Sequence, residues 1–99
     1  MTIKQTESAL RDRFDFLDDA KVKVADRGEQ YGTVKDNFET IAGLWSELLK
    51  TKITAAQVTL CMIAVKQSRL IHDPESEDSW VDLAGYAACG GEVTRQDDV

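Results

Sequence analysis

Two basic and two acidic side chains in the second half of the sequence have the types and spacing of a phosphate site. Lys66 and Arg69 are three residues apart, so both lie on one face if their segment is helical, and His72 continues the row. Asp78 and Asp82 are four apart and share a face in the same way. Lysine and arginine bind phosphate oxygens, and Mg²⁺ prefers a few carboxylates together with phosphate. The spacing therefore predicts a phosphate or magnesium-phosphate site.

The same residues also have interpretations that need no ligand. Asp78 can cap the start of a helix, where the helix dipole favours negative charge, and Asp82 can be solvated. The two cations can be solvated at the end of their own helix. Alternatively, Lys66 and Arg69 can form ion pairs with the two aspartates across the turn between the helices. The sequence leaves these alternatives open.

Four aromatic residues could stack on a nucleotide base. Trp45 and Trp80 fall on the apolar stripes of their predicted helices, so we expect both to pack in the core. Tyr31, which stands in a glycine-flanked loop, and Tyr86 are the better candidates for stacking. The chain has a single histidine, so no Ser-His-Asp or Cys-His arrangement is credible and we expect no covalent catalysis.

Four amphipathic segments must position these residues, and each is predicted to form a helix. The expected helices cover residues 7–27, 33–50, from 54 to the turn at Pro74, and about 76–91. Thr33 and Thr54 have N-cap signatures, and Ser76 or Asp78 caps the fourth helix. Gly28 and the pair Gly90-Gly91 are expected to end their helices. Residues 1–92 are thus predicted as one helical domain and residues 93–99 as a flexible acidic tail.

Apolar periodicity predicts which helix faces are buried. Residues 58–65 are apolar nearly all round, so the third helix is expected to lie at the centre. The expected core stripes of the first and fourth helices are Leu10, Phe14, Leu17 and Val24, and Trp80, Leu83, Ala84 and Ala87. Cys61 and Cys89 are expected to be buried thiols. Short connections favour antiparallel neighbours, so the fold class is all-α, a small four-helix bundle that gains stability by forming a homo-oligomer.

The charge balance excludes some partners. The net charge of −6 argues against non-specific binding of nucleic acid, which depends on basic residues. No apolar run is long enough to span a membrane, and the start of the chain lacks the apolar core of a signal peptide. We therefore expect a cytoplasmic protein without membrane contact.

Several short motifs follow one another in a specific order over residues 27–92. They are Tyr31-Gly32, Asn37-Phe38, Ile41-Ala42, Leu44-Trp45-Ser46, Ile53-Thr54, Val58, Lys66, Arg69-Leu70, Asp78-Ser79 and Asp82-Leu83-Ala84-Gly85-Tyr86-Ala87. This order resembles an uncharacterised family of small helical phage and prophage proteins, distantly similar to the MazG-type all-α nucleotide pyrophosphohydrolases. The resemblance implies that Asp78 and Asp82 match the second acidic motif of those enzymes. It also implies that Lys66 and Arg69 face substrate phosphates.

Our first functional hypothesis is a phage accessory protein that binds a phosphorylated nucleotide, for example a host immune signalling nucleotide. Lys66 and Arg69 would contact phosphate with His72 nearby, and Tyr31 or Tyr86 would stack on the base. The cytoplasm of the infected host cell would be its location.

Two alternatives remain. The chain could be a divergent Mg²⁺-dependent nucleotide pyrophosphohydrolase with Asp78, Asp82 and Glu39 as metal ligands. MazG-type enzymes carry an ExxE motif on one helix and ExxD on a later one, and the second helix here has no ExxE, which favours binding over hydrolysis. The chain could instead be an acidic interaction module that inhibits a host or defence enzyme, with a host protein as its partner.

Overall fold

A computed structural model describes residues 11–97, and these residues form four α-helices and no strand. Helix α1 spans Arg13–Tyr31, α2 spans Val34–Leu49, α3 spans Ala55–His72 and α4 spans Glu77–Asp97. The expected all-α helical bundle is confirmed. The predicted helix over residues 7–27 is wrong at its start, because Asp12 is the N-cap of a helix that begins at Arg13. Leu10 and the end of the predicted tail lie outside the described residues. None of the described helices is both long enough and apolar enough to cross a membrane.

The helix starts follow the capping signals in the sequence. The Thr33 side chain accepts a hydrogen bond from the Asp36 amide at 3.0 Å at the start of α2. Thr54 and Gln57 cap α3 reciprocally, with distances of 3.1 and 2.9 Å. At the start of α4 the Ser76 hydroxyl accepts a hydrogen bond from the backbone amide three residues later, so Ser76 takes the capping position.

The glycine stops predicted for α1 and α4 are wrong. Gly28 lies inside α1, which ends instead at Gly32, where a φ of 82° suits glycine. Gly90 and Gly91 lie inside α4, which continues to Asp97. Val93 in this continuation is fully buried. Burial of such a side chain contributes about 1.5–3 kcal/mol, which is similar to the combined cost of about 2 kcal/mol for two glycines in a helix. The helix therefore runs through the start of the segment predicted as a tail.

Helix α4, not α3, lies at the centre, because α4 packs against all three other helices. Helix α3 packs on α4 and α2 with one face only, and Leu60, Cys61 and Val65 on its other side are exposed. The expectation that Cys61 is buried is therefore wrong, whereas Cys89 is buried.

The buried face of α4 is rotated by about one residue from the predicted face. Val81, Gly85, Cys89 and Val93 are buried, at a spacing of four. Trp80 is 46% exposed, and its indole N–H donates a hydrogen bond to the carbonyl oxygen of Pro74 at 2.9 Å. Small residues explain the rotation, because they let neighbouring helices approach closely. A Cβ atom at Gly90 would lie only 2.7 Å from the Thr59 hydroxyl of α3.

Helices α1 and α4 run in the same direction, because the contacts between them advance together along both helices. Arg11 pairs with Glu77 at 3.0 Å, and a Cβ atom at Gly85 would meet Val24 at 3.4 Å. Helices α1 and α2 are consecutive in the chain but hardly touch. The expectation that consecutive helices pack antiparallel against each other is therefore wrong for this pair. The predicted core stripe of α1 is also wrong at Phe14 and Leu17, which are more than half exposed.

The core lies where α2, α3 and α4 meet. Its buried residues are Phe38, Ala42, Ala55, Val58, Cys89 and Val93. Val24 of α1, Trp45 and Tyr86 pack partly buried against it. This core fixes the N-terminal half of α2 and the second half of α4 next to each other, which creates the walls of the cleft described below.

Candidate functional site

A cleft of about 360 Å³ opens between the four helices and the connection from α1 to α2. Its lining includes the basic residues Lys23, Arg27 and Lys66, the acidic residues Asp26 and Asp82, and the uncharged residues Gly28, Gly32, Thr33, Val34, Asn37, Phe38, Gly85, Tyr86 and Cys89. The volume falls within the range of about 300–1,000 Å³ that is typical of small-molecule sites.

Lys66 is the best-buried cation of the cleft. Its side chain is only 10% exposed, although it belongs to a helix whose opposite face is open to solvent. The ammonium group lies 3.0 Å from Oδ2 of Asp82 on the antiparallel helix α4. A buried lysine is uncommon unless it is paired, and this pair accounts for its burial.

A second lysine joins the same carboxylate. The Lys23 ammonium group lies 2.8 Å from Oδ1 of Asp82 and 2.6 Å from Oδ1 of Asp78. Asp82 therefore receives one lysine on each oxygen, from α1 and from α3. Asp78, in contrast, is 75% exposed and lies outside the lining of the cleft.

These contacts shift the ionisation of the site. Partial burial by itself would raise the pKa of Asp82, but hydrogen bonds from Lys23 and Lys66 outweigh burial and lower that pKa below its ordinary value. Hydrogen bonds to Asp78 and Asp82 raise the pKa of Lys23. Burial raises the pKa of the Cys89 thiol, so this residue is a neutral thiol near pH 7.

Two aromatic rings and one helix end complete the walls. Tyr86 lines the cleft and contacts Phe38 edge to face, with ring centroids 6.3 Å apart. Gly32, Thr33 and Val34 bring the first turn of α2 to the same cleft. The first amides of a helix lack intrahelical partners and carry partial positive charge, so this end of α2 favours an anion.

The structure brings together only some of the predicted site residues. Lys66, Asp82 and Tyr86 line the cleft. Arg69 and His72 are exposed and do not line it, and the Nδ1 atom of His72 donates to the Ser68 carbonyl oxygen at 2.9 Å. The side chain of Tyr31 lies outside what the structure describes.

The predicted metal ligands are not assembled. Within residues 11–97, no group of three or more histidine, cysteine or acidic side chains could hold a metal ion. The Lys23 ammonium group occupies the space between Asp78 and Asp82, where a cation would bind. Glu39 is exposed on α2 and has Lys35 as its neighbour at 3.9 Å.

Sequence reasoning missed Lys23, Arg27 and Asn37. The first two are four residues apart and share a face of α1, which was a weak signal on a helix rich in charge. Their position at the cleft depends on the parallel packing of α1 against α4, and no local pattern in the sequence encodes that packing.

Comparison with known proteins connects the chain to phage proteins. The model of DUF6378, described as a domain of unknown function, matches residues 15–94. The Gene 55 protein of Mycobacterium phage D29 is 38% identical over 64 residues, which are 65% of this chain and 42% of that protein. The Gene 55 protein of Mycobacterium phage L5 is 37% identical over 62 residues, 62% of this chain and 40% of that protein. The chain thus spans about two fifths of the length of these curated relatives. No solved structure matches.

Proposed function

This chain belongs to the DUF6378 family, and we propose that it binds a phosphorylated nucleotide in the cleft between its four helices. The observation that carries the proposal is the nearly buried Lys66, whose ammonium group faces this cleft together with Lys23 and Arg27. Because relatives occur in phages, we further propose a phage accessory role in which the protein sequesters a nucleotide of the host, such as an immune signalling nucleotide.

Each part of a nucleotide has a matching wall. The lysines and the first turn of α2 offer donors and positive charge to a phosphate group. The Tyr86 ring offers a face for stacking, and the Asn37 side chain offers a donor and an acceptor for a base edge. This division into a cationic part and an aromatic, amide-bearing part supports a nucleotide more than a simple anion.

Binding is better supported than hydrolysis. Pyrophosphate cleavage of the MazG type depends on several carboxylates around Mg²⁺, and residues 11–97 contain no such cluster. The two functions predict opposite effects for one substitution. Asp82→Asn would abolish release of pyrophosphate if the carboxylate held a metal, but it would leave the lysines free for phosphate if the protein only binds.

Isothermal titration calorimetry tests the proposal with a panel of nucleoside mono- and diphosphates and cyclic nucleotides. Lys66→Met keeps the length and packing of the side chain and removes its charge, so we expect at least a tenfold loss of affinity for the bound nucleotide, in line with about 1.5–3 kcal/mol for a charged hydrogen bond. Lys52→Met removes an exposed lysine from the α2–α3 connection and should leave affinity unchanged. No heat from any nucleotide would refute the proposal.

We also propose that the protein forms a homodimer through the outer face of α3. Gln57, Leu60, Ala64, Gln67 and Ile71 recur at spacings of three and four and are all exposed, with Ile71 at 80%. The face carries no charge, which suits the contact of two copies that each have a net charge of −6. In an antiparallel pair centred between Ala64 and Gln67, Leu60 of each copy would meet Ile71 of the other copy.

Sedimentation over a range of concentrations tests the dimer. Leu60→Glu is expected to give a monomer at every concentration, because it buries a charge in the apolar contact. Phe14→Glu, on the exposed side of α1, serves as the control and should leave the dimer intact. A wild-type protein that stays monomeric up to high concentration would refute the dimer and would favour a host protein as the partner of this face.

A further inference from the structure

The outer side of α4 carries an uncharged and mainly exposed stripe. Its residues, which recur at spacings of four, three and four, are Trp80, Ala84, Ala87 and Gly91. They lie on the side of α4 opposite to its buried residues, and all except Ala84 are exposed. None of them is charged or lines the cleft, although 30% of the chain is charged. We call this stripe the outer face of α4.

The indole of Trp80 is prepared for burial against an apolar surface. Its N–H group already donates to the Pro74 carbonyl oxygen at 2.9 Å, while the residue remains 46% exposed. A contact that covers the ring therefore leaves its N–H group with a partner. Tryptophan is also enriched among the residues that contribute most to protein interfaces.

The outer faces of α3 and α4 adjoin and form one surface. The Lys66 ammonium group lies 3.0 Å from Asp82, so the two helices are side by side at this level. A Cβ atom at Gly90 would lie 2.7 Å from Oγ1 of Thr59, so they are also close further along. Helix α2 packs on the other side of this pair, where Phe38 belongs to a core with residues of both helices.

The combined surface suits the size of a stable dimer better than the outer face of α3 alone. That face extends for about 21 Å along the helix and about 10 Å across it. A stable interface buries about 800 Å² on each partner, which is much more than one such strip supplies. The outer face of α4 doubles the width of the contact and lies next to the proposed one.

The register of α3 against α4 determines which residues would meet in the dimer. Their contacts place the midpoint between Ala64 and Gln67 at the level of Leu83. The two-fold axis of an antiparallel pair lies in the contact plane and is perpendicular to the helices, so it also crosses α4 near Leu83. Trp80 precedes Leu83 by three residues and Ala87 follows it by four. Trp80 of each copy therefore faces Ala87 of the other copy.

We infer that a second copy of this chain covers the outer face of α4 together with that of α3, and that Trp80 anchors this contact. The inference rests on the proposed homodimer. Ala87 and Gly91 are small, so each copy has room for the indole ring of the other. Lys66 and Asp82 line the cleft on the opposite side of the helix pair, so both clefts stay open in the dimer.

Sedimentation equilibrium of the full chain tests the inference with Ala87→Glu. This substitution places a charge against the indole of the other copy, so we expect the Kd of the dimer to rise at least about tenfold. Ala25→Glu is the matched control, because Ala25 is also an exposed alanine but lies on α1, and it should leave the Kd unchanged. Circular dichroism shows whether both variants are folded.

A cross-link tests the register without a charge in the contact. Ala84 is next to Leu83, so the two-fold axis brings Ala84 of both copies together. In a Cys61→Ser background, which removes the exposed thiol, Ala84→Cys is expected to give a covalent dimer with a short bismaleimide. Ala25→Cys in the same background is expected to give none.

The outcomes separate this inference from the proposed homodimer. If Leu60→Glu gives a monomer while Ala87→Glu dimerises as well as wild type, the role of α4 is wrong and the dimer through α3 stands. The same conclusion follows if wild type dimerises but Ala84→Cys gives no more covalent dimer than Ala25→Cys. If wild type stays monomeric at every concentration, the proposed homodimer fails and this inference fails with it.

Discussion

Replacing Gly90 with alanine is expected to destabilise the protein, although alanine is the better helix former. At Gly90, α4 lies close to α3, and an added Cβ atom would lie 2.7 Å from Oγ1 and 3.3 Å from Cβ of Thr59. Thr59 is 1% exposed, and its hydroxyl donates to the Ala56 carbonyl oxygen at 2.7 Å, so it has little room to move. The helices must separate by about 0.7 Å before the contact reaches the ordinary range above 3.4 Å.

The magnitude follows from two opposing effects. Overpacking of a tight core costs about 1–3 kcal/mol, and exchanging glycine for alanine within a helix contributes about 0.5–1 kcal/mol in the other direction. We therefore expect Gly90→Ala to lower the free energy of unfolding by up to about 2.5 kcal/mol. For a domain of this size, 1 kcal/mol corresponds to a change in Tm of about 4–8 °C.

Urea denaturation followed by far-ultraviolet circular dichroism measures this change. Gly91→Ala is the matched control, since an added Cβ atom there would meet nothing within 4 Å, and it should stabilise the protein by about 0.5–1 kcal/mol. Thr59→Ala in the Gly90→Ala background should restore part of the lost stability, because it removes the nearest atom. Equal stability of the two alanine variants would refute the close approach of α3 and α4.

Three further predictions concern the rest of the chain. Lys50 ends α2 with a φ of 56°, a left-handed conformation that glycine adopts more easily than lysine. Lys50→Gly should therefore raise the urea midpoint by an amount equivalent to about 0.5–1 kcal/mol. A lower midpoint would contradict this reasoning. The folded-state pKa of Asp82 lies below its unfolded value of about 3.9. Its contribution to stability is thus complete above that pH and is lost as the pH falls through the folded-state pKa. The stability difference between wild type and Asp82→Asn should therefore shrink in acid, and a constant difference would count against the pairing with two lysines. Ellman's reagent should modify the exposed Cys61 quickly and the buried Cys89 only after unfolding, so two fast equivalents would show that Cys89 is accessible.

The matching family is described as a domain of unknown function. The role that we propose for the chain therefore rests on the residues of its cleft. The cleft holds cations, two aromatic rings and a helix start, and residues 11–97 contain no cluster of metal ligands. This composition is the basis of the binding function that we propose. It also makes the behaviour of Asp82→Asn decisive, because tighter phosphate binding and lost hydrolysis are opposite outcomes.

Much of the fold could be predicted from the sequence because its signals are local. Capping hydrogen bonds at Thr33, Thr54 and Ser76 join residues three positions apart, so the sequence alone determined where three helices begin. Helical spacing also placed Lys66 and Asp82 on faces that could meet, and the structure pairs them. The sequence could not decide between an open pocket and an ion pair. In the structure Lys66 and Asp82 both line the cleft and pair with each other.

Only the tertiary structure decided the helix ends, the buried face of α4 and the membership of the site. Each of these depends on contacts between residues far apart in the chain. Val93 keeps α4 helical beyond two glycines because its burial offsets their local cost, and the fit of Gly90 against Thr59 rotates α4 away from its most apolar stripe. Lys23 reaches Asp82 because α1 runs parallel to α4, an arrangement that local periodicity does not encode. The sequence by itself determined which residues could share a helix face, and packing between helices selected which faces meet.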